Sequence, residues 1–152
     1  FYKNLLNSYK YLHSINNNYN GRVNMDIEIK FIKNFQIEAN LGAHKIMSDQ
    51  SKELGGDGMA PNPYEYFVAS IGLCVAHYVN SFCKQRDIPM DGMTVIEKTL
   101  KDPATGQVSF NTVIKTPSSF PEKYRDALLK VADGCKVKKT ILSGPEFKIS
   151  LE

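Results

Sequence analysis

Thirteen weakly polar residues, Phe67 to Val79, stand in the middle of the chain and are interrupted only by Ser70 and His77. The segment Asn62-Pro63-Tyr64-Glu65 just before them reads as a helix start. Asn62 caps, Pro63 takes the first helical position where its missing N–H costs nothing, and Glu65 completes a capping box. Phe67, Ile71, Cys74, Tyr78 and Phe82 then recur at helical spacing, with Val68, Val75 and Val79 widening the apolar face. Lys84-Gln85-Arg86 places positive charge where the helix dipole is negative. A bilayer needs about 20 apolar residues, so the run is expected to be a core helix, and no membrane segment is expected. A helix apolar on most sides requires burial nearly all round, which so small a chain cannot supply alone, so a dimer is expected.

The rest of the body is arranged around that helix. Ile27, Ile29 and Phe31 alternate with Asp26, Glu28 and Lys30, and after a turn at Lys33-Asn34 the alternation resumes with Phe35, Ile37, Ala39 and Leu41. A short third strand is expected at His44 to Met47, followed by a mobile loop marked by Gly55, Gly56 and Gly58. Beyond the helix, strands are expected at Thr94 to Leu100 and Gln107 to Lys115, joined by the turn Asp102 to Gly106. Ser119-Phe120-Pro121-Glu122 repeats the capping-box pattern before a helix with Tyr124, Leu128, Val131 and Ala132 inward, ending at Gly134. A short helix over Cys135 to Leu142 and a closing strand through Phe147, Ile149 and Leu151 complete the order βββ-α-ββ-αα-β. That order lacks regular βαβ alternation and is therefore α+β.

Residues 1–24 differ from this body. They contain Lys3, Lys10 and Arg22 and no acid, and so account for all of the +3 net charge of the chain. The remainder is balanced, which leaves no basic bias toward nucleic acid. These Asn- and Tyr-rich residues lack the basic–apolar–small order of a secretory signal. The expectation is a leader, tag or flexible arm (1–24) before a domain over 25–152, with Met25 as the native start. The rival is a short interaction helix through Leu5, Tyr9 and Leu12.

Three cysteines, Cys74, Cys83 and Cys135, occur without CxxC spacing, and an odd count without a signal peptide points to a reducing, cytoplasmic compartment. His13, His44 and His77 are scattered, so no metal is expected, and without a phosphate loop or a GxSxG no cofactor is implied either. The thiols remain. Cys74 lies mid-helix on the apolar face, where it either packs as a small core residue or acts as a nucleophile. At about 18 Å from the helix start it is beyond the reach of the dipole, so activation requires a donor or cation from another segment. Cys135 follows Gly134 at a helix start and precedes Lys136, Lys138 and Lys139, so its local sequence favours the thiolate. Cys83 has no evident partner. His77, one turn after Cys74, is either an ordinary helix histidine or a neighbour of that sulfur.

The stretch Gly55-Gly56-Asp57-Gly58-Met59-Ala60-Pro61-Asn62-Pro63 and on through Ser70-Ile71-Gly72-Leu73-Cys74 resembles the loop and central helix of the OsmC/Ohr family, the osmotically induced and organic hydroperoxide resistance proteins. Cys135-Lys136-Val137 resembles that family's Cys-Pro-Val segment. The resemblance implies an intertwined homodimer with central helices enclosed by sheets, acting as a thiol-dependent peroxidase without a cofactor. It makes Cys74 the peroxidatic thiol and Cys135 the resolving one, with an external dithiol as reductant. Phe67, Ile71, Tyr78 and Phe82 would line an apolar pocket for an organic hydroperoxide, with Glu65, Lys33 and His77 in support. The chain differs from the well-studied peroxidases at three places. Tyr64 follows the Asn-Pro pair where they have Glu, Lys33-Asn34 occupies the hairpin turn where they have an activating Arg, and Lys136 replaces Pro. The alternative from a different class is a non-catalytic dimer that binds a small hydrophobic molecule in the same pocket.

Overall fold

The computed structural model describes residues 26–151, so the expectations for residues 1–24 and for Met25 lie outside the described residues. Two compact units divide at Tyr66 and Phe67. The architecture is α+β, as the order of elements predicted.

In the first unit, β1 (Glu28–Lys33), β2 (Gln36–Leu41) and β3 (His44–Ser48) form an antiparallel sheet in the order β1-β2-β3. Register is set by pairs such as Ile29 with Ala39 and Ala39 with Ile46. Asn34 makes the β1–β2 turn with φ of 49°, a left-handed conformation that Asn tolerates better than most residues. The alternation along β1 does not become alternating burial: all six residues are exposed, and Phe31 is 86% exposed. A half-buried strand needs a cover on one face, and the described residues of this unit give β1 none.

The glycine-rich loop departs from the mobile segment expected. Asp49 is buried beneath it and accepts backbone N–H bonds from Gln50 (2.8 Å), Asp57 (3.2 Å) and Met59 (3.0 Å). From the hairpin side, Asn34 donates to the Gly55 carbonyl at 3.0 Å and Gln36 donates to the Asp57 carboxylate at 2.9 Å. Gly56 passes so near the preceding turn that a Cβ would stand 2.1 Å from the Gln50 carbonyl oxygen, which only glycine permits. The loop is fastened at both sides because one carboxylate gathers several otherwise orphaned donors.

Those backbone donors, Met59 first, hold the Asp49 carboxyl below its ordinary value. A lowered folded pKa means that the charge stabilises the fold above the unfolded value, and that this contribution is lost as pH falls through the lower folded value. Asp49→Asn should therefore lower the melting temperature at neutral pH, and the gap to the parent chain should close in acid. A gap independent of pH would contradict this role.

The helix start forms as read. The long helix α1 (Pro63–Lys84) opens with a reciprocal capping box, Glu65 N–H to Asn62 Oδ1 at 3.0 Å and Asn62 N–H to Glu65 Oε2 at 2.8 Å. Its 22 residues exceed the apolar run seen in sequence, and an 18-residue window reaches a mean hydropathy of 1.3, enough by length and composition to cross a membrane. Its buried side chains instead make it the core helix of the second unit.

That unit is built on Ile71, Val75, Val79, Phe82 and Cys83 of α1, the last four joined in one cluster by Ile88, Phe120, Leu128, Ala132 and Cys135. The buried stripe is thus rotated from the expected face, leaving Cys74 and Tyr78 half-buried on its flank. Strands β4 (Thr94–Lys101) and β5 (Val108–Lys115) pair antiparallel, and Asp102 closes their turn by accepting from the N–H groups of Ala104 and Thr105. The second capping box does not form. A 3-10 turn over Glu122–Tyr124 precedes α2 (Arg125–Ala132), so Ser119 falls outside the first turn and Glu122 pairs with Arg125 instead. Helix α3 covers Lys136–Leu142. The closing strand is absent in the single chain: Phe147 is 88% and Ile149 100% exposed. Their alternation needs a neighbouring strand to pair with, and the described residues present none to them.

Candidate active site: two neighbouring thiols

Cys74 and Cys135 come from distant parts of the sequence and meet in the second unit. Cys74 sits mid-way along α1, while Cys135 is the N-cap of α3, placed there by the chain reversal at Gly134. The Cys135 sulfur accepts the Lys138 N–H at 3.4 Å, an N-cap bond made by sulfur in place of oxygen. Its own S–H points at the Ile71 carbonyl, 4.0 Å away on the turn of α1 before Cys74. Cys74 is near enough to Cys135 to act on its ionisation. Both are free, and Cys74 is the more accessible.

The expectation that local charge favours a Cys135 thiolate is overturned. Cys135 is 0% exposed, and burial pushes its thiol above the ordinary value; the Lys138 N–H works the other way, and the adjoining Cys74 adds to the rise. Surface lysines act through solvent, whereas desolvation acts on the sulfur directly and outweighs the Lys138 N–H that it accepts. The Lys138 ammonium is in any case turned to Asp133. A buried neutral thiol beside a more open one suits a resolving role better than first attack.

Other predicted residues are distributed as follows. The Tyr78 ring packs on Gly134, the residue before Cys135, so closely that a Cβ there would stand 3.2 Å from Cε1. Ile71 and Phe82 are buried in the core, and Phe82 is further engaged edge-on by Tyr124 and covered by the Arg86 guanidinium at 3.8 Å. Those contacts remove Phe82 from any accessible wall. Phe67 remains partly open, with its ring edge-on to Phe110 at 5.7 Å. His77 is exposed on α1. Glu65 is held by its capping bonds, and Lys33 ends β1 in the first unit. Cys83, left without a role, is wholly buried with its sulfur 3.8 Å from that of Met93, and burial raises its pKa.

Tyr78 was expected in the substrate pocket as an apolar wall, with no role given to its hydroxyl. Sequence reasoning missed one feature. Glu97 was not singled out within its strand, yet its Cβ packs on Gly72, Thr112 donates to one of its oxygens, and Oε1 is buried without a partner among the described residues. Among those residues no group of His, Cys, Asp and Glu could hold a metal ion.

Residues 55–150 match the family model described as OsmC-like protein. Among solved structures, the chain is similar to a candidate osmotic stress induced and detoxification response protein from Psychrobacter arcticus, at 18% identity, covering 75% of this chain and 85% of that one, with a TM-score of 0.62. It is also similar to the OsmC-like protein of Mycoplasma pneumoniae, at 14% identity over 81% and 90%, with a TM-score of 0.58. A third similar structure is a candidate organic hydroperoxide resistance protein of Vibrio cholerae with captopril bound in one of its active sites, at 15% identity over 84% and 91%, with a TM-score of 0.53. At such identities the likeness establishes the fold. No curated protein matches by sequence.

Proposed function

The chain belongs to the OsmC-like protein family, which includes organic hydroperoxide resistance proteins, and from that premise we propose that it is a thiol peroxidase acting on organic hydroperoxides. The observation that carries the reading is the neighbourhood of Cys74 and Cys135, two free thiols that influence each other's ionisation, one half-open and one buried. The Cys74 thiolate attacks the terminal oxygen of the hydroperoxide, the O–O bond breaks, and the alcohol leaves as Cys74 becomes a sulfenic acid. Cys135 then attacks that sulfur, water departs, and a disulfide joins the two residues. An external dithiol restores both thiols by exchange, consistent with a reducing cytoplasmic setting. Phe67, partly open on the same helix, offers apolar surface for an alkyl tail. The working form is an intertwined homodimer, which would cover β1 and pair the 147–151 segment.

A second reading, a non-catalytic dimer binding a small hydrophobic molecule, is favoured by one observation: Glu65 is committed to the helix cap and Tyr64 precedes it, so the carboxylate the well-studied peroxidases use is not reproduced. The discriminating experiment mixes reduced protein with cumene hydroperoxide and a dithiol and follows hydroperoxide loss. Consumption with turnover is the expected result. Saturable binding of the hydroperoxide without consumption would replace the peroxidase with the binding protein.

A further inference from the structure

The Cys135 sulfur serves two structures at once. It is a thiol seated against α1, and it is also the N-cap of α3, accepting the Lys138 N–H at 3.4 Å. Two contacts define the seat on α1. The Cys135 S–H faces the Ile71 carbonyl at 4.0 Å, and the preceding Gly134 packs on the Tyr78 ring. Ile71 and Tyr78 stand three residues before and four after Cys74, on the same side of the helix. The Cys135 turn therefore lies along the Cys74 face of α1.

Little else fastens α3. It has seven residues, none of them buried, and a helix so short does not hold itself in water. Its first turn contains no acid, and Lys136, Lys138 and Lys139 crowd the end that carries the positive pole of the dipole. Val137 packs partly against the core, and the Lys138 ammonium pairs with Asp133 at the surface, where an ion pair contributes little. The sulfur cap thus has a large share in holding the first turn.

We propose that Cys135 couples the redox state of the two thiols to the folding of α3: as a thiol it caps the helix, and as half of a disulfide with Cys74 it lets the first turn go. The disulfide needs an oxidant that takes two electrons and two protons from the pair. A hydroperoxide does so under the peroxidase reading, becoming alcohol and water, and a diazene such as diamide does so without it, becoming the hydrazine. The coupling rests on the peroxidase reading only for the identity of the oxidant. The new bond brings the sulfurs well inside their van der Waals separation, so one of them has to travel. Cys74 rides on a 22-residue helix pinned by buried Ile71, Val75 and Val79, whereas Cys135 leads a short helix with no buried side chain. The movement falls on Cys135, toward α1 and away from the Lys138 N–H. A dithiol that returns both thiols by exchange restores the cap.

The test compares hydrogen–deuterium exchange of the full chain, fully reduced and after oxidation by diamide, with the disulfide located by mass spectrometry. The reporters include the amides of Lys139 and Ser143, bonded to the Cys135 and Lys139 carbonyls at 3.1 and 3.0 Å. After oxidation the segment 136–143 should exchange about twofold faster or more, the low end for a withdrawn helix cap because sulfur is a weak acceptor, while α2 stays as it was. A passive cross-link constrains what it joins. Slower or unchanged exchange over α3 would therefore overturn the proposal, and so would failure of diamide to join Cys74 to Cys135. Cys135→Ala should loosen α3 without any oxidant, and Cys135→Ser, which can cap through oxygen, should keep it closed with diamide or without. If Cys135→Ala does not fold, the reduced and oxidised parent chains decide alone. Consumption of cumene hydroperoxide, followed alongside, separates the two ideas. A loosened α3 without consumption sinks the peroxidase and leaves the coupling standing, and consumption with α3 unchanged sinks the coupling alone.

Discussion

Cys74→Ser should abolish hydroperoxide consumption altogether, because a serine hydroxyl has neither the acidity nor the nucleophilicity of a thiol at neutral pH. Cys135→Ser should behave differently. Serine is a good N-cap and can accept the Lys138 N–H that sulfur accepts in the parent, so α3 should keep its start. One equivalent of hydroperoxide should still be reduced, after which the protein stops as a Cys74 sulfenic acid, trappable by a dimedone reagent. Turnover with dithiol should fall to whatever rate the reductant reaches Cys74 unaided. The expected asymmetry rests on burial: Cys74 is half-open and within a peroxide's reach, whereas Cys135 is wholly buried and open only to a neighbouring group. Equal loss of the first oxidation in both variants would remove the division of labour.

The second large effect concerns assembly. Leu73 is 62% exposed at the centre of an otherwise apolar helix, and Phe31, Phe147 and Ile149 are more exposed still. Large apolar side chains left this open on a single chain mark interaction faces. Sedimentation at micromolar concentration should give a species of twice 17.1 kDa. A twofold interface uses each residue twice, so Leu73→Asp loses the burial of two leucines, roughly 1.5–3 kcal/mol each, and adds two buried charges. The variant should sediment as a monomer or aggregate and should lose turnover. A parent chain that runs as a monomer, or a Leu73→Asp chain that remains an active dimer, would refute this arrangement.

Local rules carried most of the fold. Asn62-Pro63-Tyr64-Glu65 announced a helix start because capping is a contact between residues three apart, and the structure forms both bonds. The paired strands followed from alternation and turn residues for the same reason. The misses share a cause, dependence on something distant in sequence. Ser119-Phe120-Pro121-Glu122 has the letters of a capping box, but the 3-10 turn that begins at Glu122 decides its use. Phe147, Ile149 and Leu151 alternate like a strand, yet a strand is made by its neighbour. Asp49 carries no periodic signal at all, since its importance lies in three N–H groups that the loop brings to it.

The site divides along the same line. The two cysteines were legible because thiols are few and their surrounding motifs resemble a known family. Their relative reactivity was not. Three lysines after Cys135 promised a thiolate, and the fold buried that sulfur instead, so desolvation outweighs the neighbours that sequence could name. Tyr78 shows the converse case: its spacing from Cys74 was in view, but only the fold brings its ring against Gly134, the residue before Cys135.

The most direct test treats the fully reduced chain with one equivalent of cumene hydroperoxide and maps every cysteine by mass spectrometry. The prediction is a disulfide between Cys74 and Cys135 as the product, with Cys83 still a thiol inside the core. Oxidation appearing first on Cys135 with Cys74 reduced, or no faster on either than on Cys83, would contradict it.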